Sequence, residues 1–249
     1  MKSYKIHLIR NALTQENLDG RYLGHTDSPL CEQGITQLGE LVDSYKYPSA
    51  QVVFSSPLRR CTDTARTIYP DKEIVPLESL IEYNFGEFDG KTAEELETHT
   101  LFPRWLAGEE GVEPPFGESN AAFSKRICEG FEGVIDGMLK SGVESVAIVT
   151  HGGIIGAIMS RYAIPEASPH EWLTPSGCGY TLRITPSLWM NGQKVEAVCE
   201  IPEEEHSFDY ERALWGQAPY DEKDLDKYFE DLLDELYEGE EDEENDEDE

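Results

Sequence analysis

Residues 4–14 read Tyr4-Lys5-Ile6-His7-Leu8-Ile9-Arg10-Asn11-Ala12-Leu13-Thr14. The first six are apolar-rich and predict a short strand over 4–9, after which the chain turns polar at once. A later stretch ends in the same way: Val146-Ala147-Ile148-Val149-Thr150 runs straight into His151-Gly152-Gly153. In open α/β sheets, polar residues at the carboxyl ends of strands, each leading toward a helix, are where ligands are held. Arg10, Asn11 and His151 are therefore the first candidates for a common site.

Working outward, further strands are expected at 51–55, 145–150, 179–185 and 194–201, and helices at 32–45, 57–69, 121–140 and 153–163. In the third helix Phe123, Ile127, Phe131, Ile135 and Leu139 recur every four residues, which makes one apolar stripe to lay on a sheet. The alternation of strand and helix predicts an α/β protein, a three-layer α/β/α sandwich around a mostly parallel sheet. Asn191-Gly192 lies between the last two strands and predicts a tight hairpin turn, hence an antiparallel edge. Thr100–Phe116, with Pro103, Pro114, Pro115 and two glycines, is expected to be a loop overhanging the site.

The 249 residues suffice for one sizeable domain, here expected over 1–202. Composition shifts after Pro202. Residues 203–237 hold thirteen acids against three bases, and 238–249 hold ten acids and no base, which leaves −11 of the total −31 on the first 202 residues. Within 203–237, Leu225, Tyr228, Phe229, Leu232, Leu233 and Leu236 fall on one helical face, an amphipathic helix with an acidic outer side. It is expected to dock on its own domain or to meet a protein partner through residues 221–249. The last stretch, 238–249, repels itself and is expected to be disordered. So acidic a chain is a poor partner for nucleic acid or an anionic membrane. No stretch reads as a signal peptide or a bilayer span, so the cytoplasm is the expected location. The five cysteines, Cys31, Cys61, Cys128, Cys178 and Cys199, are widely spaced, with no CxxC pair and no zinc-type spacing. They are expected to be buried free thiols, and no metal or cofactor is expected.

Several stretches, in this order, carry a more specific chemistry. Arg10-Asn11-Ala12-Leu13-Thr14 is followed by Asn17, then Arg21-Tyr22-Leu23-Gly24. Next come Ser56-Pro57-Leu58-Arg59-Arg60-Cys61-Thr62-Asp63-Thr64-Ala65, Leu80-Ile81-Glu82-Tyr83-Asn84-Phe85-Gly86-Glu87-Phe88-Asp89-Gly90, and Gly117-Glu118-Ser119 with Phe123 and Arg126. Thr150-His151-Gly152-Gly153 closes the series. Over residues 4–201 these elements resemble the histidine phosphatase (phosphoglycerate mutase-like) superfamily, whose first strand ends in Arg-His-Gly.

The resemblance implies a phosphoglycerate mutase-like fold and a pocket for a small phosphorylated molecule. Arginine forks suit equatorial phosphate oxygens, where a phosphoryl transition state concentrates charge. By resemblance Arg10, Asn17, Arg60 and His151 bind phosphate, Arg21 and Gly24 help hold the substrate, and Glu82 protonates the leaving oxygen. A donor carboxyl must keep its proton near neutral pH, which a partly dry pocket arranges. Ser119 is expected to cap the central helix. Ile81 and Phe88 depart from the family's usual arginine and tryptophan, and neither removes a catalytic group.

Asn11 is the large departure. The resemblance puts the phosphorylated histidine at this position, and an amide nitrogen is too delocalised to accept a phosphoryl group. Three readings follow. The chain binds a phosphate monoester and hydrolyses it weakly or not at all; or it is an active phosphomonoesterase trapped by an engineered His-to-Asn change; or it is a scaffold acting through its acidic C-terminal helix and tail. Only 68 residues separate Glu82 from His151, which favours the phosphatase lineage over mutases with a longer insertion there.

Overall fold

The computed structural model describes residues 2–109 and 111–203. Among these residues seven strands form one sheet: β1 (Tyr4–Arg10), β2 (Val52–Ser55), β3 (Ile74–Pro76), β4 (Ser145–Thr150), β5 (Ala163–Ile164), β6 (Gly179–Ile184) and β7 (Val195–Ile201). Their order is β3-β2-β4-β1-β6-β7-β5. Every strand is parallel to β1 except β6, which pairs antiparallel with β1 and with β7. Among the described residues eight α-helices connect them: α1 (Gln15–Leu18), α2 (Glu32–Ser44), α3 (Arg59–Ile68), α4 (Ala93–Leu96), α5 (Phe102–Leu106), α6 (Asn120–Ser141), α7 (Gly152–Tyr162) and α8 (Pro186–Gly192).

The sheet divides the apolar core in two, as a three-layer sandwich requires. On one face Ile6, Leu8, Val146 and Ile148 meet Phe123, Ile127, Phe131 and Ile135 of α6 and Ile154, Ile155 and Ile158 of α7. On the other, Ile9, Val53, Ala147 and Val149 meet Leu38 of α2 and Cys61, Ala65 and Ile68 of α3. The four-residue spacing read in the sequence is thus the buried stripe of α6. That helix starts where Ser119 accepts the amide of Ala122, and it stops at Gly142 in the left-handed region.

The β1–β4 register decides where the chemistry sits. Ile9 pairs with Val149 and Arg10 with Thr150, so Asn11 and His151 leave the sheet side by side. The amide of Asn11 continues the ladder by donating to Thr150 O at 2.8 Å.

Three local expectations are corrected. β6 and β7 pair as foreseen, but α8 joins them instead of an Asn-Gly hairpin turn. Pro186 suits a first helical turn, Gln193 takes the left-handed position, and Trp189 buries against Phe131 and Tyr162. Residues 100–116 contain α5, because Phe102 and Trp105 plunge into an aromatic cluster with Tyr22, Tyr83, Phe85 and Phe88. None of the five cysteines forms a disulfide, yet only Cys61 and Cys178 are buried and the other three are partly exposed. The sequence also left β3, β5, α1 and α4 unread; each is four residues or shorter, too brief for periodicity to register. The expected acidic helix at 225–236 and the tail at 238–249 lie outside the described residues. Among the described residues no helix is long and apolar enough to cross a membrane.

Candidate active site

Arg60 and His151 form the centre. Both are 1% exposed, Arg60 from the first turn of α3 and His151 from the residue before α7. Arg60 Nε donates to His151 Nδ1 at 3.2 Å. An arginine N–H only donates, so Nδ1 carries the lone pair and the imidazole proton sits on Nε2. From there it donates to Ser56 Oγ at 2.8 Å. Burial, followed by the charge of Arg60, holds the His151 pKa well below the ordinary histidine value, so the ring is neutral. Cys61 Sγ lies 3.5 Å from His151 Nε2, and burial pushes its thiol up to about 12. Such a thiol is inert as a nucleophile.

The other nitrogens of Arg60 reach across to the segment after Arg21. Nη1 donates to Thr26 O at 2.9 Å, and Nη2 donates to Gly24 O at 2.7 Å and more weakly to Leu23 O at 3.4 Å. Asp89 grips the same segment from outside, accepting from the amides of Gly24 and Thr26 at 2.8 Å each. Gly24 is sterically required, since a Cβ there would come within 2.3 Å of Tyr83 O.

Asn11, 5% exposed, turns its side chain back on the backbone: Nδ2 donates to Ala12 O at 2.9 Å. Arg10 lies against the start of α7, where a Cβ on Gly152 would be 3.3 Å from its Nε, and its Nη1 donates to Thr174 O at 2.7 Å. Helix starts of this kind favour negative charge through unpaired amides.

Glu82 occupies the same helix start. Its Oε1 accepts from the amide of Tyr83 at 2.9 Å, and the amide of Gly153 also donates to the carboxylate. Burial nevertheless dominates and raises its pKa, against the lowering effect of those amides and of Arg60 and Arg126. A carboxyl that retains its proton above the usual range is suited to donate it. Its segment is fixed from behind by Arg126, which donates to Ser79 O, Ile81 O and Glu82 O and to both carboxylate oxygens of Glu118. His25 donates from Nε2 to Glu82 O at 2.9 Å.

Not every expected residue joins this group. Asn17 uses Oδ1 in the capping box of α1, accepting from Thr14 N and Thr14 Oγ1 at 3.2 Å. Arg21 donates Nη1 to Gly90 O at 2.7 Å and pairs with Glu95 of α4 at 2.8 Å, so its charge is engaged there. Ser56 and Arg126 were not given site roles in the sequence. Ser56 is the serine of the Ser-x-Leu-x-Arg stretch, and that motif position was the available signal.

Arg10, Arg60, a neutral His151 and Glu82 with its raised pKa thus gather beyond the ends of β1 and β4, an arrangement whose charge suits an anion. The chain belongs to the Histidine phosphatase superfamily (branch 1), whose sequence signature matches residues 6–190. It is 28% identical over 179 residues to the adenosylcobalamin/alpha-ribazole phosphatase of Salmonella typhimurium, covering 70% of this chain and 87% of that one. It is 33% identical over 159 residues to a putative phosphoserine phosphatase 2 of Hydrogenobacter thermophilus, covering 62% and 76%. Among solved structures, the alpha-ribazole phosphatase from Shigella flexneri superposes with a TM-score of 0.67 at 25% identity, over 82% of this chain and 99% of that one. A phosphoserine phosphatase of Entamoeba histolytica, crystallised as a histidine-to-alanine mutant with phosphoserine, superposes with a TM-score of 0.60 at 26% identity, over 79% and 96%. The fold is phosphoglycerate mutase-like.

Proposed function

We propose that this chain binds a small phosphate monoester between Arg10, Arg60, His151 and the start of α7, and that Asn11 stands where the phospho-acceptor histidine of its family stands. Hydrolysis is then weak or absent, in a protein of phosphatase rather than mutase lineage. The observation that carries this reading is the Asn11 side chain, whose Nδ2 is held by Ala12 O at the mouth of β1, beside His151. An amide there keeps a hydrogen bond and offers no nucleophilic lone pair. Glu82 is left with a raised pKa and a role as proton donor, and His151 as a neutral donor that steadies charge. The phosphoserine-bound histidine-to-alanine mutant of a relative supports the idea that such a pocket holds its ligand after losing a histidine. Loss of a nucleophile still leaves roughly 10³–10⁴-fold acceleration in a comparable hydrolytic site.

A second reading, a vestigial pocket in a protein acting through its acidic residues 221–249, is favoured by one observation. Three Arg60 donor contacts already end on backbone carbonyls, so a bidentate phosphate must displace at least one of them.

The deciding experiment compares hydrolysis of an aryl phosphate by this chain and by its Asn11→His variant, each with a His151→Ala control. The proposal expects a large gain on restoring histidine, on the order of 10³-fold or more, that is lost without His151. Equal, His151-dependent activity with Asn11 would refute the assigned role of Asn11. Inactivity of both forms, with no phosphate binding, would favour the scaffold.

A further inference from the structure

Phe116 is the most exposed large apolar side chain among the described residues, at 86%, and its backbone stands at φ +61. Left-handed backbone is disfavoured for a bulky residue, and it persists only where the surroundings impose it. Here they do. Pro115 O accepts from the amide of Glu87 at 2.9 Å, Glu118 N donates to Asn84 O at 3.0 Å, and the Glu118 carboxylate accepts from the amide of Asn84 at 2.7 Å. Asn84 Nδ2 also donates to Phe116 O at 3.4 Å. Gly86 and Gly117 make room for this approach: a Cβ on Gly86 would lie 2.1 Å from Pro115 O, and one on Gly117 would lie 2.5 Å from Asn84 O. The backbone beneath an exposed ring is thus pinned at a conformational cost, with no burial of the ring to offset it.

The segment that imposes this strain is the one that carries Glu82. Asn84 is two residues beyond Glu82, within about 7 Å of chain. His25 is also exposed and donates to Glu82 O. A monoester whose phosphoryl group meets Arg60 and whose bridging oxygen meets Glu82 would carry its leaving group beyond Glu82, toward the 84–87 segment on which Phe116 is pinned.

We propose that Phe116 is a specificity-determining residue that stacks on the leaving group, and that the preferred ligands are phosphate monoesters of planar, aromatic alcohols. An exposed aromatic face suits this because ring stacking favours flat, apolar partners. The proposal rests on the phosphate-binding reading above and adds to it the identity of the ester's other half.

The test is calorimetric binding of phenylphosphonate, propylphosphonate and inorganic phosphate to the full chain, whose C–P analogues no residual hydrolysis consumes. The expected result is tighter binding of phenylphosphonate than of propylphosphonate by about 5–10-fold, in line with one good ring contact. Phe116→Ala should abolish that preference and leave inorganic phosphate binding unchanged, while Phe116→Tyr should keep it. Phenyl preference persisting in Phe116→Ala, or absent from the unmodified chain, overturns the role of Phe116 while phosphate binding stands. If none of the three ligands binds, and Arg60→Gln changes nothing, the phosphate pocket itself is overturned and this proposal with it.

Discussion

Arg60 Nε lies 3.2 Å from His151 Nδ1, and this one contact sets the protonation of the ring. The donor fixes the lone pair on Nδ1, so the proton is on Nε2 and points at Ser56. Nitrogen-15 NMR of the imidazole should show a neutral Nε2–H tautomer with no titration between pH 5 and 8. Ser56→Ala should leave that tautomer in place, because Arg60 sets it, and lower activity of the Asn11→His form by about 10-fold through loss of one hydrogen bond. A ring that titrates near pH 6.5 would contradict the arrangement.

Glu82 should govern the alkaline side of the rate profile. Its pKa is raised by burial, so the proton it must donate is present below the folded value and lost as pH rises through it. In the Asn11→His form, kcat for an alkyl phosphate should fall with rising pH in a window that begins above the ordinary glutamate value. Glu82→Gln should flatten this dependence and cost about 10²-fold or more, with less effect on an aryl phosphate whose leaving group needs no proton.

His7 should make the fold acid-sensitive before its carboxylates do. The ring is 2% exposed, held between Thr181 Oγ1 and Ser145 Oγ, and burial lowers its pKa to about 4. The unfolded chain takes up this proton near pH 6.5 and the folded chain resists until about pH 4. Stability therefore falls as pH drops across that interval, by at most about 3 kcal/mol. Denaturant melts of His7→Gln should show a shallower loss between pH 6.5 and 4 than the unmodified chain.

Arg126 should matter to stability and to placement of Glu82 together. Its guanidinium spends donors on three carbonyls and the Glu118 carboxylate. Arg126→Met leaves those acceptors unpaired and should cost about 2 kcal/mol or more in urea melts. Arg126→Lys should recover part of this, because one ammonium cannot reproduce the planar fork.

Some of this site was legible in advance for a local reason. Arg10, Asn11 and His151 announce themselves because each follows directly on an apolar strand, and Ser119 because it precedes a helical stripe. Arg126 was read with the opening of the central helix, and that motif position carries no sign that it clamps a segment more than forty residues away. Asn191-Gly192 misled for the converse reason. The dipeptide favours a tight turn in isolation, and burial of Trp189 beside Phe131 and Tyr162 outweighed it.

The sequence by itself determined the succession of strands and helices, the sites where strands end in polar residues, and the presence of asparagine at position 11. These are properties of neighbouring residues, and periodicity and motif spacing record them. Tertiary structure alone decided which nitrogen of His151 bears the proton, where Arg21 spends its charge, and why Phe116 stands exposed in a left-handed turn. Each depends on groups far apart along the chain, such as Arg60 and His151 at a separation of 91 residues. Only the packed sheet brings them within hydrogen-bond reach and removes the water that would otherwise mask their charges.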